Sequence, residues 1–307
     1  MCWPDRSRGR SIPDLSGLAL KEMRMLVPSL VDGLLLGFVY GIAAMGLSLI
    51  WGVMNVINLS HGPIIALGMF GVYLIFNAIG LNPYLTLLLV AVMGLLLGVL
   101  IYWVAVHRVI DAPHLSTLLA TFAVNMIIVG IGTAVFTTSP RNVDFTLGSI
   151  GLGPITLPWT RILAAGAAGL VTALLYLFLY RTPPGKAIRA VTDNRAAAEL
   201  MGIPTNWMLA LSFGLGTMLA AISGGLIATF FPFTILAGGS YELKSFVICV
   251  LGGLGNPLGA LIGGLLLGAL EGIIPAFMET SWVPVLEFIL FVLILLVRPQ
   301  GLLGSKT

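Results

Sequence analysis

The feature that most limits what this chain can fold into is the length of its apolar runs. Nine stretches of close to 20 residues are dominated by apolar side chains, and about 20 residues is what an α-helix needs to cross the hydrocarbon core of a bilayer. Their expected bounds are Leu26–Leu49, Pro63–Ile79, Tyr84–Val106, Leu115–Phe136, Ile162–Tyr180, Trp207–Phe230, Leu236–Leu251, Leu258–Ile274 and Val283–Val297. Inside lipid every backbone N–H and C=O needs a partner within its own segment, so these runs are read as helices. Composition removes the soluble alternative: with 9% charged residues and a mean hydropathy of +1.07, polar surface is too scarce to coat a globule of 307 residues. The expected fold is an all-α polytopic transmembrane helical bundle of about 8–9 membrane helices with broken or re-entrant segments. It occupies residues 26–304 behind a polar, basic N-terminal tail at 1–25.

The longest polar interruption, residues 181–204, sets the orientation. It carries Arg181, Lys186, Arg189 and Arg195 against Asp193 and Glu199, and short basic loops beside membrane spans stay in the cytoplasm. Pro183, Pro184 and Gly185 are expected to stop the preceding span. Thr192, Asp193 and Asn194 then offer N-caps for a helix over 196–201, which Gly202 and Pro204 end. A short cytoplasmic helix held between two membrane anchors needs a partner to dock on. The loop at Arg108 and the C-terminal tail with Arg298 and Lys306 also read as cytoplasmic. Counting nine crossings back from that tail places the N-terminus outside, against the sense of Arg6, Arg8, Arg10, Lys21 and Arg24. No cleavable signal peptide is expected, and Met23 and Met25 are alternative starts.

Two places break the apolar pattern. Between the first two spans lie Asn55, Asn58, Ser60 and His61, followed by Gly62 and Pro63. This cluster is either a surface turn that caps the next helix or a broken span whose amides and free backbone groups face a solute. The second place is Gly238–Gly272, where Gly255, Gly259 and Gly263, then Gly264, Gly268 and Gly272, recur every four residues. Such strips let backbones approach closely, and plain packing is the expectation. Glu242 and Lys244 are expected to cap this run or pair at an interface. Glu271 is expected to reach the interface beside Glu279, and Glu287 to face a neighbouring helix.

Several chemistries lack their motifs. There is no phosphate loop: Gly185 and Lys186 are followed by Ala187, so ATP is not bound in that way. His61, His107 and His114 form no metal-ligand set with cysteines or acids, and no serine nucleophile motif occurs. No catalytic residue, metal or cofactor is therefore expected. Cys2 and Cys249 do not make a disulfide framework. The net charge of +3 comes from separate loops, so no nucleic acid is expected as a partner.

Four segments in order carry a resemblance: Gly37–Gly62, Gly185–Ile203, Glu242–Gly272 and Arg298–Gly304. Together they resemble the branched-chain amino acid ABC importer permease family, in particular its H-type membrane subunit. The third alone is less specific, because sugar permeases share a triplet like Tyr241, Glu242 and Leu243 before a Gly-Gly turn. The resemblance implies a multi-pass protein of the bacterial cell inner membrane, in contact with lipid. It implies pairing with a second homologous permease subunit, two ATP-binding subunits and an extracytoplasmic solute-binding protein. It implies uptake of leucine, isoleucine or valine, with energy from the partner ATPase rather than from an ATP site in this chain. Residues 181–204 then resemble the ATPase-coupling loop, with Gly185, Arg189, Ala198, Glu199 and Gly202 as its candidate residues. Asn55, Asn58, Ser60 and His61 are the candidate translocation path. Close relatives carry urea or short-chain amides, so the same machinery for those solutes stays open. The reading from another class is a stand-alone channel or secondary transporter, against which stand the sparse intramembrane acids and the lack of a visible inverted repeat.

Overall fold

The computed structural model describes residues 15–152, 155–298 and 300–304. Helix α1 runs over Leu15–Met54, α2 over His61–Ile79, α3 over Pro83–Ile101 with a π-turn continuing through Val106, and α4 over His114–Phe136. A small antiparallel hairpin, β1 (Ser149–Leu152) and β2 (Ile155–Pro158), pairs Ser149 with Pro158. Then follow α5 (Trp159–Arg181), α6 (Pro183–Asp193), α7 (Arg195–Leu200), α8 (Thr205–Ile227), α9 (Gly238–Gly252), α10 (Pro257–Phe277) and α11 (Val283–Val297). Among the described residues, nine helical segments are long and apolar enough to cross a membrane, matching the nine runs in order.

Helices α1 and α8 form the centre, buried along most of their membrane length, while α4 and α11 expose most of theirs. Small residues decide the closest crossings. Gly264, Gly268 and Gly272 of α10 lie against Gly33, Gly37 and Gly41 of α1; a Cβ on Gly37 would come 2.7 Å from the Gly264 carbonyl oxygen. The fourfold glycine spacing is thus a packing seam, as the sequence suggests, and its partner is a matching strip on α1.

Residues near the two ends of α5 fix which loops share a side. Arg195, in α7, donates to Asp111 of the α3–α4 turn at 2.8 Å. The C-terminal tail joins the end of α9, with Leu302 N–H donating to Leu251 C=O at 2.9 Å. Arg108, Arg181, Lys186, Arg189, Arg195 and Arg298 therefore lie at one end, and Arg141 and Arg161 at the other. The first end gathers most of these cations, the distribution the positive-inside rule associates with a cytoplasmic face. Arg161 pairs with Asp32, so α1 enters from the outer end, in agreement with the odd number of crossings. Residues 1–14 of the basic tail lie outside the described residues.

Candidate functional site

The break after α1 is built from short polar side chains. Asn55 ends α1 at φ 53°, a left-handed conformation that asparagine tolerates better than bulkier residues. The Asn58 Oδ1 accepts from Ser60 N–H at 3.1 Å and from Ser60 Oγ at 2.6 Å. His61 Nε2 donates to the Ala43 carbonyl at 2.9 Å; a carbonyl only accepts, so the proton sits on Nε2. Ala43 is 11 residues before the end of α1, about 16 Å of helix. Helix α2 therefore starts deep in the bundle, and the segment before it is a re-entrant one.

A second helix starts at the same depth. The backbones of Gly62 and Gly238, in the first turns of α2 and α9, touch directly. From there α2 runs to the outer end and α9 to the inner end. Glu242, one turn into α9, lies against Gly62: its Oε2 is 2.7 Å from where a Cβ on that glycine would sit. Two breaks facing opposite sides thus meet in mid-membrane.

Of the four candidate path residues, Asn58, Ser60 and His61 are wholly buried. Among the described residues, Asn58 Nδ2 and His61 Nδ1 have no hydrogen-bond partner. Asn55 separates from them and lines a cavity of about 410 Å³ with Trp51, Ile57, His114 and Thr117. Sequence reading missed what holds the break. Thr121 of α4 accepts from Leu59 N–H at 3.2 Å and donates to the Ile57 carbonyl at 3.0 Å, and Asn125 Nδ2 donates to the Leu59 carbonyl at 2.6 Å. Thr117, Thr121 and Asn125 recur every four residues on a largely apolar span, and that stripe was the available signal.

The polar element at 181–204 is two helices, not one. Pro183 and Pro184 do not merely stop α5; they occupy the first turn of α6, where proline's missing N–H costs nothing, and Thr182 caps Gly185 N–H at 3.2 Å. Asn194 caps α7 through Ala197 N–H at 3.0 Å. Gly185 is buried where α6 crosses α5, and a Cβ there would lie 2.6 Å from Leu179 Cα. Arg189 folds back, its Nε donating to the Leu179 carbonyl at 3.2 Å and its guanidinium 4.3 Å from the Tyr180 ring. Ala198 is buried, and Gly202 (φ 79°) ends the element in a left-handed turn. Four of the five candidate coupling residues thus shape or brace the element, and Glu199 is exposed. Beside it Leu200 and Met201 stand 88% and 82% exposed, an apolar tip on a polar surface outside the membrane.

Lys244, Glu271 and Glu287 form a cluster that the sequence reading scattered. The Lys244 ammonium is 2.7 Å from Glu271, 3.5 Å from Glu287 and 4.9 Å from the Tyr40 ring centre. Glu271 does not reach the interface beside Glu279; its reach is taken up by Lys244 from α9. Glu287 faces its neighbouring helices, as expected.

Sequence comparison decides the family. The profile described as "branched-chain amino acid transport system / permease component" matches residues 29–296. The chain belongs to this permease family. The high-affinity branched-chain amino acid transport system permease LivH of Escherichia coli K12 is 29% identical, over 92% of this chain and 97% of its own length. The corresponding BraD of Pseudomonas aeruginosa is 29% identical over 93% and 98%. A more distant similarity, 33% over 39% of this chain, links it to the autoinducer 2 import permease LsrC of Enterobacter. The chain is thus a multi-pass membrane protein and the permease subunit of an ABC importer, a family that works with an ATPase and a binding protein.

Proposed function

We propose that this permease moves branched-chain amino acids inward, drawing its energy from separate ATPase subunits that dock on α6 and α7. The assembly we infer holds a second homologous permease, two ATP-binding subunits and an extracytoplasmic binding protein. One observation carries the reading: a capped, braced pair of helices outside the membrane ends in an exposed Leu200–Met201 tip. Buried apolar anchors ringed by polar groups supply most interface energy, and this tip is such an anchor awaiting a groove. Arg189 and Gly185 tie α6 to the end of α5, so a push on the tip is delivered to a membrane helix instead of being lost in a loop. Asn55, Asn58, Ser60 and His61 belong to the path. Movement of α1 against α4 exposes the unpartnered Asn58 and His61 nitrogens to the solute, and ATP binding selects between the two arrangements.

The test is co-purification and uptake in the assembled importer. Leu200→Asp with Met201→Asp releases the ATPase subunits, whereas Arg189→Ala keeps them bound and lowers uptake per ATP hydrolysed. Leucine, isoleucine and valine compete for uptake, and urea does not. Full retention of the ATPase together with undiminished leucine uptake in the double aspartate variant overturns the docking role.

A further inference from the structure

At the outer end of the bundle, residues 142–148, the start of α5 and the residues just after α8 line an open chamber of about 580 Å³. Small-molecule sites fall in this size range. Asn142, Asp144, Phe145, Arg161, Thr229 and Phe230 contribute to its wall. Arg161 is held in place from behind: it donates to Asp32 of α1, and its guanidinium lies 5.9 and 5.5 Å from the ring centres of Phe230 and Phe231. Asp32 takes one of the five N–H donors of that fork, and its own Oδ1 is buried without a partner among the described residues. Asp144 is steadied by Asn142 at 3.0 Å. The lining of the chamber thus includes a pinned cation, an exposed carboxylate and two phenylalanine rings. Counting Asp32, these charges sum to −1, which disfavours a purely anionic guest. A guest with both signs and an apolar body matches every wall.

We propose that this chamber is a reception site for a zwitterionic α-amino acid, with Arg161 taking the carboxylate, Asp144 the ammonium, and Phe145 and Phe230 the apolar side chain. The proposal rests on the reading of the chain as an amino-acid permease and adds where the solute is first held. A planar guanidinium binds a carboxylate through two parallel hydrogen bonds, and because Asp32 and the two rings already immobilise it, little ordering remains to be done on binding.

The experiment uses the importer assembled with its second permease and ATPase subunits, without binding protein. Saturation-transfer NMR is recorded with leucine, leucinamide and 4-methylpentanoate, the latter two each lacking one charge. Leucine gives a saturable signal, and each analogue binds about tenfold more weakly. Arg161→Lys keeps a cation opposite Asp32 but loses the fork, and weakens leucine by about tenfold. Arg161→Gln with Asp32→Asn removes both partners, orphans neither and abolishes the signal. Equal leucine binding in wild type and both variants, equal binding of the analogues, or no leucine signal in wild type overturns the proposal. ATP-driven leucine uptake by the wild-type importer is measured in parallel. Uptake that persists with unchanged KM in the variants sinks the chamber alone, and absence of wild-type uptake sinks the functional reading itself.

Discussion

Helix α10 is held on two faces by opposite means. Toward α1 it presents Gly264, Gly268 and Gly272, with no side chain between the two backbones. Toward α9 and α11 it presents Glu271, in a network of one lysine, two glutamates and Tyr40. The glycine face depends on distance: it works only at contact, tolerates no added atom, and involves no charge. The ionic face depends on balance: it tolerates small displacements but not the loss of its single cation. The contrast follows the parts each face joins. The seam locks α10 to the central helix, whereas the ionic cluster joins α10 to α9, whose first turn meets α2 at the mid-membrane break.

Gly268→Leu breaks the comparison most sharply. Its Cβ would come 2.5 Å from Gly37 Cα, which belongs to backbone and cannot swing aside. Loss of more than roughly 3 kcal/mol is expected, seen as failure to accumulate in membranes; wild-type yield and a monodisperse elution profile would disprove the seam. Lys244→Met comes next. It leaves Glu271 and Glu287 without their cation and costs about 3–5 kcal/mol, read as a fall in the temperature at which the purified protein aggregates. Adding Glu271→Gln and Glu287→Gln to Lys244→Met restores most of that stability if the deficit is one of charge, and restores none if Lys244 acts through its aliphatic stem. The smallest effect belongs to Arg195→Gln, whose partner Asp111 is 79% exposed. Surface pairs of this kind contribute under about 1 kcal/mol, so its aggregation temperature stays close to that of wild type; a drop as large as that of Lys244→Met would show the pair to be structural.

The sequence made some of this architecture legible and hid the rest for identifiable reasons. Run length predicts each of the nine crossings because lipid leaves a helix as the solution for an isolated apolar stretch. Charge orients them because Arg108, Arg195 and Arg298 lie beside spans. The polar element at 181–204 is recognisable and Asn194 is among the N-caps the sequence offers, yet α6 before it was missed, since Thr182 and two prolines can end one helix and begin the next with the same residues. At the candidate path, Asn58, Ser60 and His61 stand out as polar in an apolar context. Thr121 and Asn125, which hold that break together, do not, because their partners are carbonyls about 65 residues away in the chain.

By itself, then, the amino-acid order marked nine apolar runs long enough to cross a bilayer, placed the loop cations beside particular spans, and showed that glycine strips would pack. Those properties follow from local transfer energies and from the size of single side chains. Only the tertiary structure decided that α2 and α9 begin at one point, that Lys244 serves two glutamates, and that Arg161 stands before Asp32 at an outer chamber. Each of those is a meeting of residues distant in the chain, set by which helices lie side by side, and hydropathy alone does not specify neighbours.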